Sequence, residues 1–115
     1  SPEEYLQQLQ ADFFSTRIFA LTPAGDVIDL PQGATALDFA YAVHSDIGNH
    51  AYRAVIDDIP RTLHTPIASE SVVEIITSSH TKPRQSWLKS VVTSNAKAQI
   101  KKALLPEKDQ QEPRE

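Results

Sequence analysis

The 115-residue chain has a formal net charge of −4 and 40% hydrophobic residues, a balance that suits one small globular core. It has no cysteine, which excludes disulfides and thiolate zinc sites, and no long apolar run, which excludes a signal sequence or a membrane span. We therefore expect a cytoplasmic protein. The start on Ser-Pro-Glu-Glu and the polar end also predict a piece of a longer polypeptide.

The first residues predict a helix. Ser1 is a capping residue, Pro2 suits a first helical position, and Glu4 suits the third. Leu6, Leu9 and Phe13 would form an apolar edge on this helix. We interpret residues 1–16 as a connector from an upstream region.

A β-hairpin is predicted next. Residues 18–22 and 27–30 have strand character, and Pro, Gly and Asp at residues 23–26 favour a turn between them.

The pattern then changes to a short amphipathic helix that starts at Thr35. Thr35 and Asp38 have the spacing of a capping box. The predicted buried stripe consists of Ala36, Phe39, Ala40 and Val43. Gly48 and Asn49 are residues that end helices, so a polar loop is expected after Val43.

Three further strands complete the predicted core. They are residues 51–57, a short edge strand at 61–64 after a turn at 58–60, and residues 72–77 after a turn at 69–71. The order ββαβ(β)β predicts an α+β fold, a β-grasp (ubiquitin-like) mixed sheet packed on one helix, with helical extensions at both ends. The C-terminal extension is a helix at residues 93–105, ended by Pro106. Residues 106–115 are predicted to be a disordered polar tail.

Charge is unevenly divided along this chain. Between residues 18 and 77 only Arg53 and Arg61 oppose eight acidic residues. Residues 78–104 contain no acid and six cations: Lys82, Arg84, Lys89, Lys97, Lys101 and Lys102. Because nucleic-acid affinity comes largely from neutralised phosphates, the division argues against a broad phosphate-binding surface on the central module and places any anionic partner on the segment from Lys82 onward.

Several stretches closely resemble the TGS domain of the RelA/SpoT family. They are residues 19–26, 30–48 and 73–77, and the run Asp-Phe-Ala-Tyr-x-x-His-x-Asp-x-Gly at residues 38–48 is the most specific of them. The resemblance continues through residues 87–97 and spans roughly residues 17–105. It implies a TGS domain at 17–79, followed by a basic linker and helix at 80–105.

The resemblance also implies a function in the stringent response. Family members are (p)ppGpp synthetases and hydrolases, so catalysis is expected in upstream domains of the same chain and not in this part. The direct passage from residues 87–88 to 91–94 resembles the bifunctional SpoT or Rel type more than the RelA type. Family TGS domains bind the 3′-CCA end of deacylated tRNA on the ribosome, with a histidine matching His44 at the contact, or they bind acyl carrier protein.

We therefore assign partner binding to the polar residues that follow the predicted helix. They are His44, Ser45, Asp46, Asn49, His50 and Arg53. A second set, Lys97, Lys101 and Lys102, is a possible docking face for an anionic partner. No catalytic residue, metal site or cofactor is assigned, because the sequence has no helical His-x-x-x-His pair and no Gly-rich phosphate loop.

Alternatives stay open at this point. For the polar loop, the alternative is a segment that only satisfies a helix end, and for the lysines it is a solvated stripe. For the partner, the two alternatives are acyl carrier protein and tRNA. The alternative for the whole chain is a generic β-grasp module for RNA or protein with no role in (p)ppGpp metabolism. Trp87 is interpreted as a structural side chain, and His64 and His80 as solvated ones.

Overall fold

The computed structural model describes residues 1–14 and 16–105. Its elements are α1 (Pro2–Phe14), β1 (Arg17–Leu21), β2 (Val27–Pro31), α2 (Ala36–Val43), α3 (Ser45–Asn49), β3 (Ala51–Ile56), β4 (Ile59–Arg61), β5 (Val73–Thr77), a 3₁₀ helix (Gln85–Lys89) and α4 (Ser94–Leu104). The tail predicted at residues 106–115 lies outside the described residues.

The N-terminal hairpin is confirmed. Strands β1 and β2 pair antiparallel from Arg17 opposite Pro31 to Leu21 opposite Val27. The turn closes through a hydrogen bond from the Thr22 amide to the Asp26 carbonyl, and Gly25 takes the positive φ of +95° that the turn requires.

Strand β3 is the centre of a second, three-stranded ladder and pairs antiparallel with both β4 and β5. The turn predicted at residues 58–60 and the strand predicted at 61–64 are wrong in position. Asp57 and Asp58 both have positive φ and form the tight turn, because aspartate tolerates this conformation and two-residue hairpin turns require it. Pro60 then lies in edge strand β4, where a missing amide N–H is tolerated.

One parallel bridge, between Leu21 and Val72, joins the two antiparallel ladders. The Leu21 amide donates to the Ser71 carbonyl at the same place, at 2.8 Å. Helix α2 packs on β2, β3 and β5. The arrangement confirms the predicted α+β class and the β-grasp fold, and the mixed character of the sheet comes from this one parallel connection.

Helix α2 is buried more completely than its stripe predicted. Phe39 is 1% exposed, as expected, but Leu37 and Tyr41 on the neighbouring face are also buried, at 0% and 3%. The prediction that Val43 is buried is wrong, since its side chain is 37% exposed. The reason is that α2 packs against α4 as well as against the sheet, so it is covered on more than one face up to Tyr41 and then emerges.

The covering of α2 depends on Asp38, which is 1% exposed. Its carboxylate completes the predicted capping box by accepting from the Thr35 amide at 2.9 Å. It also accepts from the Val92 amide at 3.0 Å, from the Thr93 amide at 3.0 Å and from the Thr93 hydroxyl at 2.8 Å. One buried carboxylate therefore joins the start of α2 to the start of α4.

The C-terminal segment shares the core of the sheet and α2. Trp87, Val91, Ala96 and Ile100 belong to the same buried cluster as Phe39. Trp87 is thus buried as predicted, and the C-terminal helix is confirmed as α4, with the Thr93 hydroxyl capping the Ala96 amide. The boundary between residues 79 and 80 stays a prediction, and the core is continuous across it.

Helix α1 begins as predicted, with the Glu4 amide donating to the Ser1 hydroxyl at 3.2 Å. It contacts α4. Leu6 remains 59% exposed and Leu9 38% exposed, so these two residues of the expected apolar edge are largely uncovered. The side chain of Phe13, the third expected residue, lies outside the described part of the chain.

Candidate functional site

Helix α2 ends at Val43, where the sequence predicted the change to a polar segment. His44 has an extended backbone (φ −168°, ψ 145°), and its ring Nδ1 accepts from the Asp46 amide at 3.0 Å. This side chain therefore caps a second helix, α3, where a polar loop was expected. The sequence prediction was wrong here because histidine is not among the usual capping residues.

The cap leaves part of the His44 ring available. Because Nδ1 accepts a hydrogen bond, the proton of the neutral ring lies on Nε2, which becomes a donor. The His44 side chain is 63% exposed, and that of Asp46 is 80% exposed. At the junction between α2 and α3, the structure thus presents an imidazole whose orientation is fixed at one nitrogen and whose other nitrogen can donate to a partner.

The prediction that Gly48 ends a helix is wrong, because this residue lies within α3. A Cβ at this position would come within 2.3 Å of the Tyr41 ring, so glycine permits close packing of α3 on α2. The Tyr41 hydroxyl donates to Asn49 Oδ1 at 2.8 Å, and burial raises the pKa of the Tyr41 phenol. Asn49 therefore holds α3 in place.

His50 also has an internal role. Its Nδ1 lies 3.0 Å from the Asp46 carbonyl oxygen and donates to it, and its own carbonyl accepts from the Ser78 amide. His50 and Asp46 line a cleft of 350 Å³ together with Ile47 and residues 77–79. Of the six predicted partner-binding residues, the structure places His44, Ser45 and Asp46 at the start of α3, and it places Asn49 and His50 at the end with structural contacts.

The predicted lysines lie on α4. Lys101 and Lys102 are exposed in its last turn, whereas Lys97 is half-buried. Since α4 packs against both α2 and α3, these lysines belong to the same layer of helices as His44.

Arg53, the sixth predicted residue, lies elsewhere, in an open groove of 840 Å³ between the β3–β4 hairpin and the segment that follows β5. We call this the basic groove. The side chains of interest that line it are Tyr52, Arg53, Arg61, Lys82, Arg84 and Trp87. His64 and His80 line it as well, and among the described residues no Asp or Glu does.

The basic groove was not predicted from the sequence. Along the chain, Arg53 and Arg61 lie in the acidic module and Lys82 and Arg84 in the separate basic segment, but the fold brings the four together. His64 and Ser90 are hydrogen-bonded to each other, which ties the chain after the 3₁₀ helix to the chain after β4. A usable signal was present in the sequence, since the module's two arginines fall on either side of one predicted turn.

Nowhere in residues 1–14 and 16–105 do three or more His, Asp or Glu side chains converge so as to hold a metal ion. Over the same residues, every helix is too short or too polar to cross a membrane.

Comparisons with known proteins agree with the fold. A family model described as the TGS domain matches residues 18–77. Over 101 residues, 88% of this chain, the sequence is 43% identical to a guanosine-3′,5′-bis(diphosphate) 3′-pyrophosphohydrolase of Vibrio cholerae and to the bifunctional (p)ppGpp synthase/hydrolase SpoT of Escherichia coli. It is 40% identical over 100 residues, 87% of the chain, to a GTP pyrophosphokinase of Myxococcus xanthus. The chain spans only 13% to 14% of the length of these relatives.

Proposed function

This chain belongs to the TGS domain family, with relatives of the SpoT type, and we propose that it is the partner-sensing module of a bifunctional (p)ppGpp synthetase/hydrolase in the stringent response. It catalyses no reaction itself. It binds acyl carrier protein or the 3′-CCA end of deacylated tRNA in the cytoplasm, and it passes the signal to catalytic domains upstream in the same polypeptide.

The observation that carries this proposal is the exposed imidazole of His44, which caps α3 through one ring nitrogen. Recognition of an RNA end needs few contacts, and a ring that can stack on a base and donate one hydrogen bond to a ribose or a base supplies both. The same donor can serve a carbonyl or carboxylate oxygen of a protein. Ser45 and Asp46 lie beside His44 at the start of α3 and add polar contacts.

The exposed lysines at the end of α4 have a different role in the proposal. Acyl carrier protein is acidic and tRNA is a polyanion, so Lys101 and Lys102, with Lys97 nearby, attract either partner over a distance that salt screens. Their replacement by glutamate is expected to slow association mainly at low salt. His44 variants are expected to change the lifetime of the complex and to leave its salt dependence unaltered.

The generic alternative, a β-grasp module outside (p)ppGpp metabolism, has less support. Relatives at 40% to 43% identity over most of this chain bear the names of (p)ppGpp hydrolases and synthetases. No observation of the fold favours another pathway.

The test is to titrate this chain with acyl carrier protein and, in parallel, with deacylated tRNA, and to measure binding by isothermal calorimetry. His44→Asn is the informative variant, because asparagine is a good helix cap and should preserve α3 while the imidazole is lost. We expect it to weaken the binding of the true partner by roughly tenfold, the scale of one lost stacking contact. Gln32→Ala, which removes an exposed polar side chain before α2, is the control and should bind like the parent.

Two further results would distinguish the mode of contact. His44→Phe retains binding if the ring stacks and loses it if Nε2 donates a hydrogen bond. If neither partner binds, or if His44→Asn binds both as the parent does, the sensing surface does not include His44 and the site assignment is wrong.

A further inference from the structure

The basic groove concentrates positive charge in an acidic chain. The net charge is −4, yet Arg53, Arg61, Lys82 and Arg84 line one concavity in which no described residue contributes a carboxylate. None of the four takes part in an ion pair found among the described residues. Like charges that line one groove without counter-charges repel one another, so the groove is suited to a compact polyanion.

An aromatic ring lies beside these charges because of an irregularity in β3. The register with β5 shifts between Ala51 and Arg53, which makes Tyr52 the extra residue of a β-bulge. The bulge explains why both Tyr52 and Arg53 are exposed where strand alternation would bury one of them. The Arg53 guanidinium carbon lies 5.5 Å from the centre of the Tyr52 ring, and the ring side chain is 58% exposed. A second planar group can therefore stack on this tyrosine.

The size of the groove favours a small ligand. Its 840 Å³ lies within the range of about 300–1,000 Å³ typical of small-molecule sites. Its edge strand β4 is only three residues long, which offers little backbone for an added peptide strand. The four cations all line this one concavity.

We infer that the basic groove binds a nucleoside polyphosphate, with the phosphates held by Arg61, Lys82 and Arg84 and the base stacked on Tyr52. This site is separate from the His44 surface, and its existence rests on the groove alone. The choice of a guanine nucleotide as the first probe rests on the proposed function. Because the two surfaces are tested with different ligands and different variants, either proposal can fail while the other stands.

The chain offers its own optical reporter for the test. Trp87 is the only tryptophan, and it forms part of the groove wall. Titration of this chain with guanosine 3′,5′-bis(diphosphate), with GDP and with inorganic pyrophosphate, followed by tryptophan fluorescence and checked by calorimetry, reports binding without a label. We expect saturable binding that weakens as salt is raised.

A matched pair of variants separates the groove from general charge. Lys82→Gln and Lys89→Gln remove the same charge from exposed lysines, but Lys82 lines the groove and Lys89 does not. We expect Lys82→Gln to weaken nucleotide binding roughly three- to fivefold and Lys89→Gln to leave it unchanged. The double change Arg61→Gln with Arg84→Gln should weaken binding roughly tenfold or more, because both side chains face the same phosphates.

Tyr52→Leu tests the contact with the base. It should weaken GDP binding by roughly fivefold or more and leave pyrophosphate binding as it was. Circular dichroism of each variant checks that the fold is retained, which is expected because all the replaced side chains are exposed.

Several outcomes would overturn the inference. They are an absence of saturable nucleotide binding up to about 1 mM, equal effects of Lys82→Gln and Lys89→Gln, and pyrophosphate binding as tight as that of the nucleotides. Binding of single-stranded RNA or of an acidic peptide at the groove in place of nucleotides would also overturn it, since the groove would then be a docking surface for a macromolecule.

Discussion

The two ends of α2 use polar side chains in opposite ways. At the start, Asp38 is buried and all its contacts lie within the chain, to Thr35, Val92 and Thr93. At the end, His44 is exposed and commits only one ring nitrogen to the fold. Both residues stand in the run that most resembles the family, yet burial shows that the first stabilises the domain and the second is exposed to solvent.

The largest effect is expected from removing the buried carboxylate. Asp38→Ala leaves the amides of Thr35, Val92 and Thr93 without their acceptor, which should cost about 3 kcal/mol or more of unfolding free energy. Urea denaturation measures this. Asp29→Ala, which removes an exposed carboxylate paired with Arg17, is the control and should cost less than about 1 kcal/mol. Equal losses in the two variants would mean that Asp38 does not stabilise the junction between the starts of α2 and α4.

Gly48→Ala tests how closely the far end is packed. Alanine is favoured over glycine in a helix by about 1 kcal/mol, so an unconstrained site would become more stable. Here the new methyl group meets the Tyr41 ring, and we expect a net loss of about 1–3 kcal/mol. The sign of the change in thermal midpoint decides the matter, and a rise in the midpoint would show that α3 can move away from α2.

Tyr41→Phe should cost about 1 kcal/mol at neutral pH through the lost hydrogen bond to Asn49. Because burial raises the pKa of this phenol in the folded state, the stability linked to it is complete below the ordinary tyrosine value near 10 and falls as pH rises above that value. The advantage of the parent over the variant should therefore shrink between about pH 9 and pH 11. Parallel urea melts across this range measure it, with Tyr5→Phe on exposed α1 as the control. A constant difference would contradict the assignment.

The smallest effect is expected at His44. His44→Ala should reduce stability by only about 0.5 kcal/mol, the low end for loss of a cap, because α3 is short and this end is exposed. His44→Asn should restore most of that loss. Chemical denaturation of both variants provides the measurement, and a loss in His44→Ala comparable to that of Asp38→Ala would remove the contrast between the two ends of α2.

What could be predicted from the sequence was local. The capping box of Thr35 and Asp38 and the hairpin strands at residues 18–22 and 27–30 depend on residues close in the chain, and both were predicted. The strand order followed from the same signals. The turn at Asp57 and Asp58 was misplaced because Pro60 is a strong turn signal that is equally compatible with an edge strand.

The missed features depend on contacts far apart in sequence. Asp38 and Thr93 are 55 positions apart, and no local pattern indicates that one caps the other. The exposure of Val43 follows from where α4 ends its cover of α2. The basic groove likewise depends on Arg61 and Lys82 meeting across a fold that the charge pattern does not describe.

The hydrogen bonds that Asp38 accepts from Val92 and Thr93 also determine when the domain can fold during synthesis. Every strand of the β-grasp has left the ribosome once Thr77 has emerged from the exit tunnel. At that stage the Asp38 carboxylate still lacks three of its hydrogen-bond donors, and the core still lacks Trp87 and Ile100. Bringing Thr93 to Asp38 closes a loop of 55 positions, and the conformational entropy lost is offset only when the contacts of α4 have formed. Folding of the nascent domain is therefore completed after α4 emerges, and a force-sensitive arrest peptide fused at successive lengths should register folding beyond Thr93 and not at Thr77.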